Sequence, residues 1–69
     1  MTEEICKLIR DQRKALNLTQ QQLGEMCGYT GRNAESMVQQ WEHGRSPVPI
    51  NKLRALAEAL QLTLDELIP

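Results

Sequence analysis

Arg32, Asn33, Glu35, Ser36, Gln39 and Gln40 fall in one stretch bounded by Gly31 and Gly44, and all of them hydrogen bond well to flat polar edges. A carboxamide carries a donor and an acceptor side by side, so Asn and Gln can pair twice with adenine. A guanidinium matches guanine, a carboxylate accepts from the cytosine amino group, and a hydroxyl suits several edges. The competing reading of the same six residues is the solvated face of any small helical bundle. Enzymatic chemistry is remote. No nucleophile sits at a motif spacing from a base, and neither a metal-ligand cluster nor a phosphate-cradling glycine loop is present, so no cofactor or metal is expected. His43 has no catalytic companion and reads as a cation at a helix end. Cys6 and Cys27 fit no zinc spacing and read as buried reduced thiols rather than a bridge.

These side chains need a scaffold, and 69 residues allow one small domain, residues 1–69, burying about 60% of its unfolded surface. The chain has no apolar run of roughly 18 residues and no charged-then-apolar amino terminus, so a cytoplasmic protein without membrane contact is expected. No small-molecule ligand is expected either. The net charge of −1 is unevenly spread: residues 10–54 carry seven Lys or Arg against four acids, and the negative balance sits at the two ends. The middle of the chain is therefore mildly basic.

Hydrophobic periodicity places the elements. Ile5, Leu8, Ile9 and Leu16 recur at helical spacing, with Thr2 as a cap and Glu3 and Glu4 favoured by the dipole, which predicts a helix over about 3–14. Thr19-Gln20-Gln21-Gln22 fits a capping box, so a second helix starts at Gln20, carries Leu23, Met26 and Cys27 inward and stops at Gly28. Ala34, Met37, Val38 and Trp41 mark a third helix ended by Gly44, with Pro47 and Pro49 beyond it. Ile50, Leu53, Leu56, Ala57 and Leu60 form the buried face of a fourth, with Pro49 in its first turn. Thr63-Leu64-Asp65-Glu66 is a second capping box, opening a short fifth helix with Leu64, Leu67 and Ile68. No segment alternates with period two. The fold class is all-α, without an internal repeat or a low-complexity tract.

Leu18-Thr19-Gln20 with Leu23, Gly24 and Gly28, then Trp41-Glu42-His43-Gly44, Leu56-Ala57-Glu58-Ala59-Leu60 and Leu64-Asp65-Glu66-Leu67, together resemble the phage repressor and Cro (XRE-like) type of helix-turn-helix. The resemblance covers residues 5–68. It implies a compact five-helix, lambda-repressor-like bundle whose helices 2 and 3, over about 20–43, form the DNA-reading unit. Gly24 falls where the two helices cross most closely and Gly28 at the turn.

One departure stands out. Gly28 to Trp41 is thirteen residues, about four more than the family's spacing, and four residues are about 1.1 helical turns, so both registers keep the apolar face in place. The register with four added residues keeps Trp41, Glu42 and Gly44 aligned with the family's helix end. The addition either extends helix 3 back to about Gly31, capped by Thr30, or lengthens the turn through "YTGRN" with Asn33 as the competing cap. The longer helix is the preferred reading.

The resemblance implies a division of labour. The outward residues of helix 3, Arg32, Asn33, Glu35, Ser36, Gln39 and Gln40, would read base edges, with Arg32 alternatively on a phosphate. Gln20 resembles the family's phosphate-gripping glutamine, aided by helix amides. Arg45 and Lys52 resemble its other backbone contacts, Asn51 joins them, and Lys14 is a fainter candidate. Tyr29, at the turn, reads as core, phosphate donor or both. Trp41 reads as core. Arg13 and Glu42 correspond to a structural ion pair, which would offset a carboxylate at the wrong end of a helix dipole.

The expected activity is sequence-specific binding of double-stranded operator DNA by a transcription regulator, a repressor in the first instance. A homodimer is expected, formed in solution or only on DNA, because half-sites lie about 34 Å apart. Leu62, Leu64, Leu67 and Ile68 could supply an isologous patch or close the core, the core being favoured for Leu64 and Leu67. The alternative is a protein-binding module on the same fold, an antirepressor or an antitoxin-like partner.

Overall fold

The computed structural model describes residues 2–67, with side chains from Ile5 onward. The Thr2 cap, the Glu3 and Glu4 dipole contacts and the packing of Ile68 expected from sequence lie outside that set. The described residues form α1 (Thr2–Ala15), α2 (Gln20–Met26), α3 (Gly31–Glu42), α4 (Ile50–Leu60) and α5 (Leu64–Leu67), and no strand occurs among them. Trp41, Ile9, Leu23, Leu56, Leu60 and Leu67 are the largest side chains fully removed from solvent. They draw on all five helices, so each helix contributes to a single core.

Local chemistry sets the helix ends. Both halves of the Thr19–Gln22 capping box form: the Gln22 amide donates to Thr19 Oγ1 at 3.0 Å, and the Thr19 amide donates to Gln22 Oε1 at 2.8 Å. The Thr63–Glu66 box closes in the same way at 3.3 and 3.1 Å. At the far ends of α1 and α4 the chain turns through left-handed Asn17 and Gln61, each with φ of 59°. The amides of Leu18 and Leu62 then reach back to the carbonyls of Arg13 and Ala57 at 3.1 and 2.8 Å. These are the long bonds of Schellman caps, which fold the chain back over the last turn.

Several sequence expectations are corrected. Met26 is 52% exposed, not inward: in the seven-residue α2 the face toward the core is Leu23 and Gly24, continued by Cys27. Ile50 is 88% exposed: as the first residue of α4 it precedes the buried face, which begins at Leu56. Leu64 is 37% exposed, and Leu67 alone carries the α5 contact with the core. Pro49 is the N-cap residue of α4 rather than part of its first turn. The two cysteines are buried and unbridged.

The added residues between Gly28 and Trp41 extend α3, with a qualification. The helix starts at Gly31, where the Ala34 amide bonds the Thr30 carbonyl at 3.3 Å. Gly31 itself has φ of +55°, so right-handed geometry begins at Arg32. Thr30 occupies the N-cap position without a side-chain cap bond. A left-handed residue directly after the cap turns the next amides away from where a threonine hydroxyl would meet them.

Candidate nucleic-acid interface

The α2–α3 crossing positions the site, and Gly24 makes it possible. A Cβ placed on Gly24 would lie 2.2 Å from the Ala34 carbonyl oxygen and 2.6 Å from the Ala34 Cα. Only a hydrogen allows the two backbones to approach so closely. With Ala34, Val38 and Trp41 sealed against the core, the opposite face of α3 is left to solvent. Arg32, Asn33, Glu35, Ser36 and Gln39 are exposed there, and Gln40 is half-buried.

Beneath that face runs a chain of polar contacts. Arg13 Nε lies 2.6 Å from Glu42 Oε2 and Nη2 lies 3.3 Å from Oε1, while Nη1 donates to the Leu18 carbonyl at 2.9 Å. The side chains are 11% and 3% exposed. This two-pronged pair neutralises a carboxylate that would otherwise sit buried at the negative end of α3. It also ties the end of α1 to the end of α3 and to the loop before α2. Gln20 Nε2 donates to Glu42 Oε1 at 3.3 Å, and Gln20 Oε1 accepts from Gln39 Nε2 at 3.2 Å. Gln39 Nε2 lies 3.5 Å from Glu35 Oε1. The half-buried Gln20 thus connects the ion pair to the exposed face.

A second group lies further along α3. Ser36, Gln39, Gln40, His43 and Arg45 line one polar groove. Ser46 Oγ donates to Gln40 Oε1 at 2.8 Å, and Gln40 Nε2 lies 3.5 Å from Ser36 Oγ. His43 Nδ1 is 2.8 Å from the Gln39 carbonyl, as suits a ring at a helix end. Sequence reasoning missed Ser46. Its signal was its position just past Gly44, where the Arg45 amide bonds the Gln40 carbonyl at 2.9 Å. That cap returns the chain to the last turn and brings Ser46 onto Gln40.

A third group forms at the turn. The half-buried Tyr29 ring meets Trp41 edge to face, with centroids 5.8 Å apart and planes at 60°. Lys52 Nζ stands 4.9 Å from the Tyr29 centroid, within the range of a cation–π contact. The same ammonium is 3.2 Å from where a Cβ of Gly28 would be, so the start of α4 delivers a cation to the turn between α2 and α3. Arg45 and Asn51 are exposed. The fainter candidate Lys14 is exposed on α1, and among the described residues no side-chain hydrogen bond or ion pair joins it to the three groups. The Trp41 indole N–H is buried without a nitrogen or oxygen acceptor among the described residues, a cost of about 1–3 kcal/mol that the surrounding packing offsets.

Two crossed helices, a left-handed turn between them and a protruding polar second helix make up a helix-turn-helix unit. A helix-turn-helix family model matches residues 9–67, and neither curated proteins nor solved structures gave a match. The chain belongs to this family, in its phage repressor and Cro (XRE-like) type, and is a DNA-binding regulator of transcription. Among the described residues, no helix is long and apolar enough to cross a membrane.

Proposed function

We propose that the protein is a repressor that occupies a two-fold operator as a homodimer in the cytoplasm, each subunit laying α3 in the major groove while α2 crosses the backbone. In this reading Arg32, Asn33, Glu35, Ser36, Gln39 and Gln40 address base edges, and Gln20, Tyr29, Arg45, Asn51 and Lys52 hold phosphates. Arg13 and Glu42 are structural: their pairing keeps the end of α3 in register with α1. The observation that carries the reading is the division of α3 into a sealed face of Ala34, Val38 and Trp41 and an exposed polar face.

Charge supports a dimer. With a net charge of −1, one subunit gains little from counterion release, and two sets of contacts supply the affinity that one lacks. Among the described residues, half-exposed Leu62 and exposed Leu64 are the apolar residues near the carboxy end left for a partner copy, since Leu67 is spent on the core. The test is a titration against random-sequence duplex at two salt concentrations, followed by selection of preferred oligonucleotides. Binding that weakens as salt rises, with enrichment of an inverted repeat, is the expected result. No binding at either salt would favour a protein-binding module and end the proposal.

A further inference from the structure

Gln39 stands at the exposed end of the polar chain that begins at the buried Glu42, and the order of donors and acceptors along that chain has a direction. An ionised carboxylate only accepts hydrogen bonds. Glu42 accepts from the Arg13 guanidinium at both oxygens, so the end of Gln20 that faces it must be the NH2 group, at 3.3 Å. The carbonyl end of Gln20 is then turned toward Gln39, whose facing end must in turn be its NH2 group, at 3.2 Å. Glu35 imposes the same orientation from the other side, being a second acceptor 3.5 Å from Gln39 Nε2. Both amide protons of Gln39 thus have acceptors within the protein, and the atom left over is Oε1 on an exposed residue.

We propose that Glu42 and Gln20 are positioning residues that fix the polarity of Gln39, so that Gln39 presents a lone acceptor to DNA and selects a base carrying an amino group in the major groove. The proposal deepens the operator-reading function above and rests on it. A free glutamine pairs twice with adenine, giving to N7 and taking from N6. With its donors committed, Gln39 takes from N6 of adenine or N4 of cytosine with little preference between them. It opposes guanine and thymine, whose O6 and O4 would face another acceptor. A buried ion pair therefore reaches the specificity of a groove contact through one intervening side chain.

The test has two arms. Without DNA, amide-proton exchange of the glutamine side chains is followed by NMR: the Gln39 NH2 protons should exchange several-fold more slowly than those of exposed Gln61, and lose that protection in a Gln20→Met/Glu35→Ala protein. Equal exchange of Gln39 and Gln61 in the unmodified protein overturns the polarity chain. With DNA, the base pair read by Gln39 is located as the one whose preference disappears in Gln39→Ala. There the unmodified protein should favour cytosine and adenine over guanine and thymine by about fivefold to tenfold, the weak end of a specific contact. The Gln20→Met/Glu35→Ala protein, checked for helix content, should shift to adenine over cytosine and tolerate guanine. Preference for guanine or thymine in the unmodified protein, or the same base ranking in both, overturns the proposal. Protected amides together with no base pair that depends on Gln39 would instead mean that the operator reading has failed, and the specificity proposal with it.

Discussion

The Gly24 Cα and the Ala34 carbonyl approach so closely that a methyl group on Gly24 would sit 2.2 Å from the Ala34 oxygen. The obstacle is backbone, so no rotamer change relieves it. Gly24→Ala gains about 1 kcal/mol of helix propensity but must part α2 from α3 and loosen a core in which Leu23 and Val38 are fully buried. The expected net effect is a loss of about 2 kcal/mol, seen as a fall of about 10 °C in Tm for a domain this small. A variant as stable as the parent would show that the two helices can separate freely.

Arg13 and Glu42 give the second prediction. Removing one member of a buried pair leaves the other charge without a partner, which typically costs about 3–5 kcal/mol, whereas replacing both with apolar groups is often neutral. Arg13→Met should therefore destabilise by about 3 kcal/mol in urea, and adding Glu42→Met should recover most of that loss. Additive losses in the double variant would mean that the two side chains act independently.

Cys27 supplies a pH dependence. Burial pushes its thiol above the ordinary value of 9.0, and the Lys52 cation opposes the shift without cancelling it. A group with a raised folded-state pKa contributes stability fully below its unfolded value and loses it as pH climbs toward the folded one. The unfolded chain then releases a proton that the folded chain retains. Stability attributable to Cys27 should be constant through neutral pH and decline above about pH 9. Cys27→Ala, less stable overall for its lost packing, should show a shallower alkaline decline in urea unfolding. Parallel curves for the two proteins would count against the shift.

Much of this fold was legible because α2 and α5 announce their own starts. Both capping boxes could be read residue by residue, and Gly24 and Gly28 marked a crossing and a turn in the sequence itself. The misreadings share one limit of the pattern. Met26, Ile50 and Leu64 each satisfy the helical spacing, yet Met26 lies beside the face of Leu23 and Cys27, Ile50 precedes the buried run of α4, and Leu64 opens the one-turn α5 whose buried residue is Leu67. In so short a helix several neighbouring positions meet the spacing at once, and periodicity does not decide which of them is sealed. The start of α3 was half legible for a related reason. The added residues could be counted, but Gly31 in left-handed geometry is both the first hydrogen-bonded helical residue and the last residue of the turn. At the site, the outward face of α3 followed from periodicity, while the links from Glu42 through Gln20 to Gln39 join residues far apart in sequence and needed the packed structure.

The groove formed by Ser36, Gln39, Gln40, His43 and Arg45 yields the last prediction, because it holds side chains of two different kinds. Gln39 is a neutral amide fixed by neighbours on two helices, suited to distinguishing bases. Arg45 is an exposed cation in the turn after α3, suited to a phosphate, which looks the same at every base pair. Gln39→Ala should leave affinity for random duplex nearly unchanged and flatten the preference at one base pair of each half-site. Arg45→Ala should weaken binding to every sequence by a similar factor and lower the slope of log affinity against log salt by about 1 per subunit. Titrations of both variants against the selected operator and a scrambled duplex, at two salt concentrations, separate the roles. If Arg45→Ala altered base preference while Gln39→Ala altered the salt slope, the assignments would be reversed, and the operator would be read from the turn rather than from the helix.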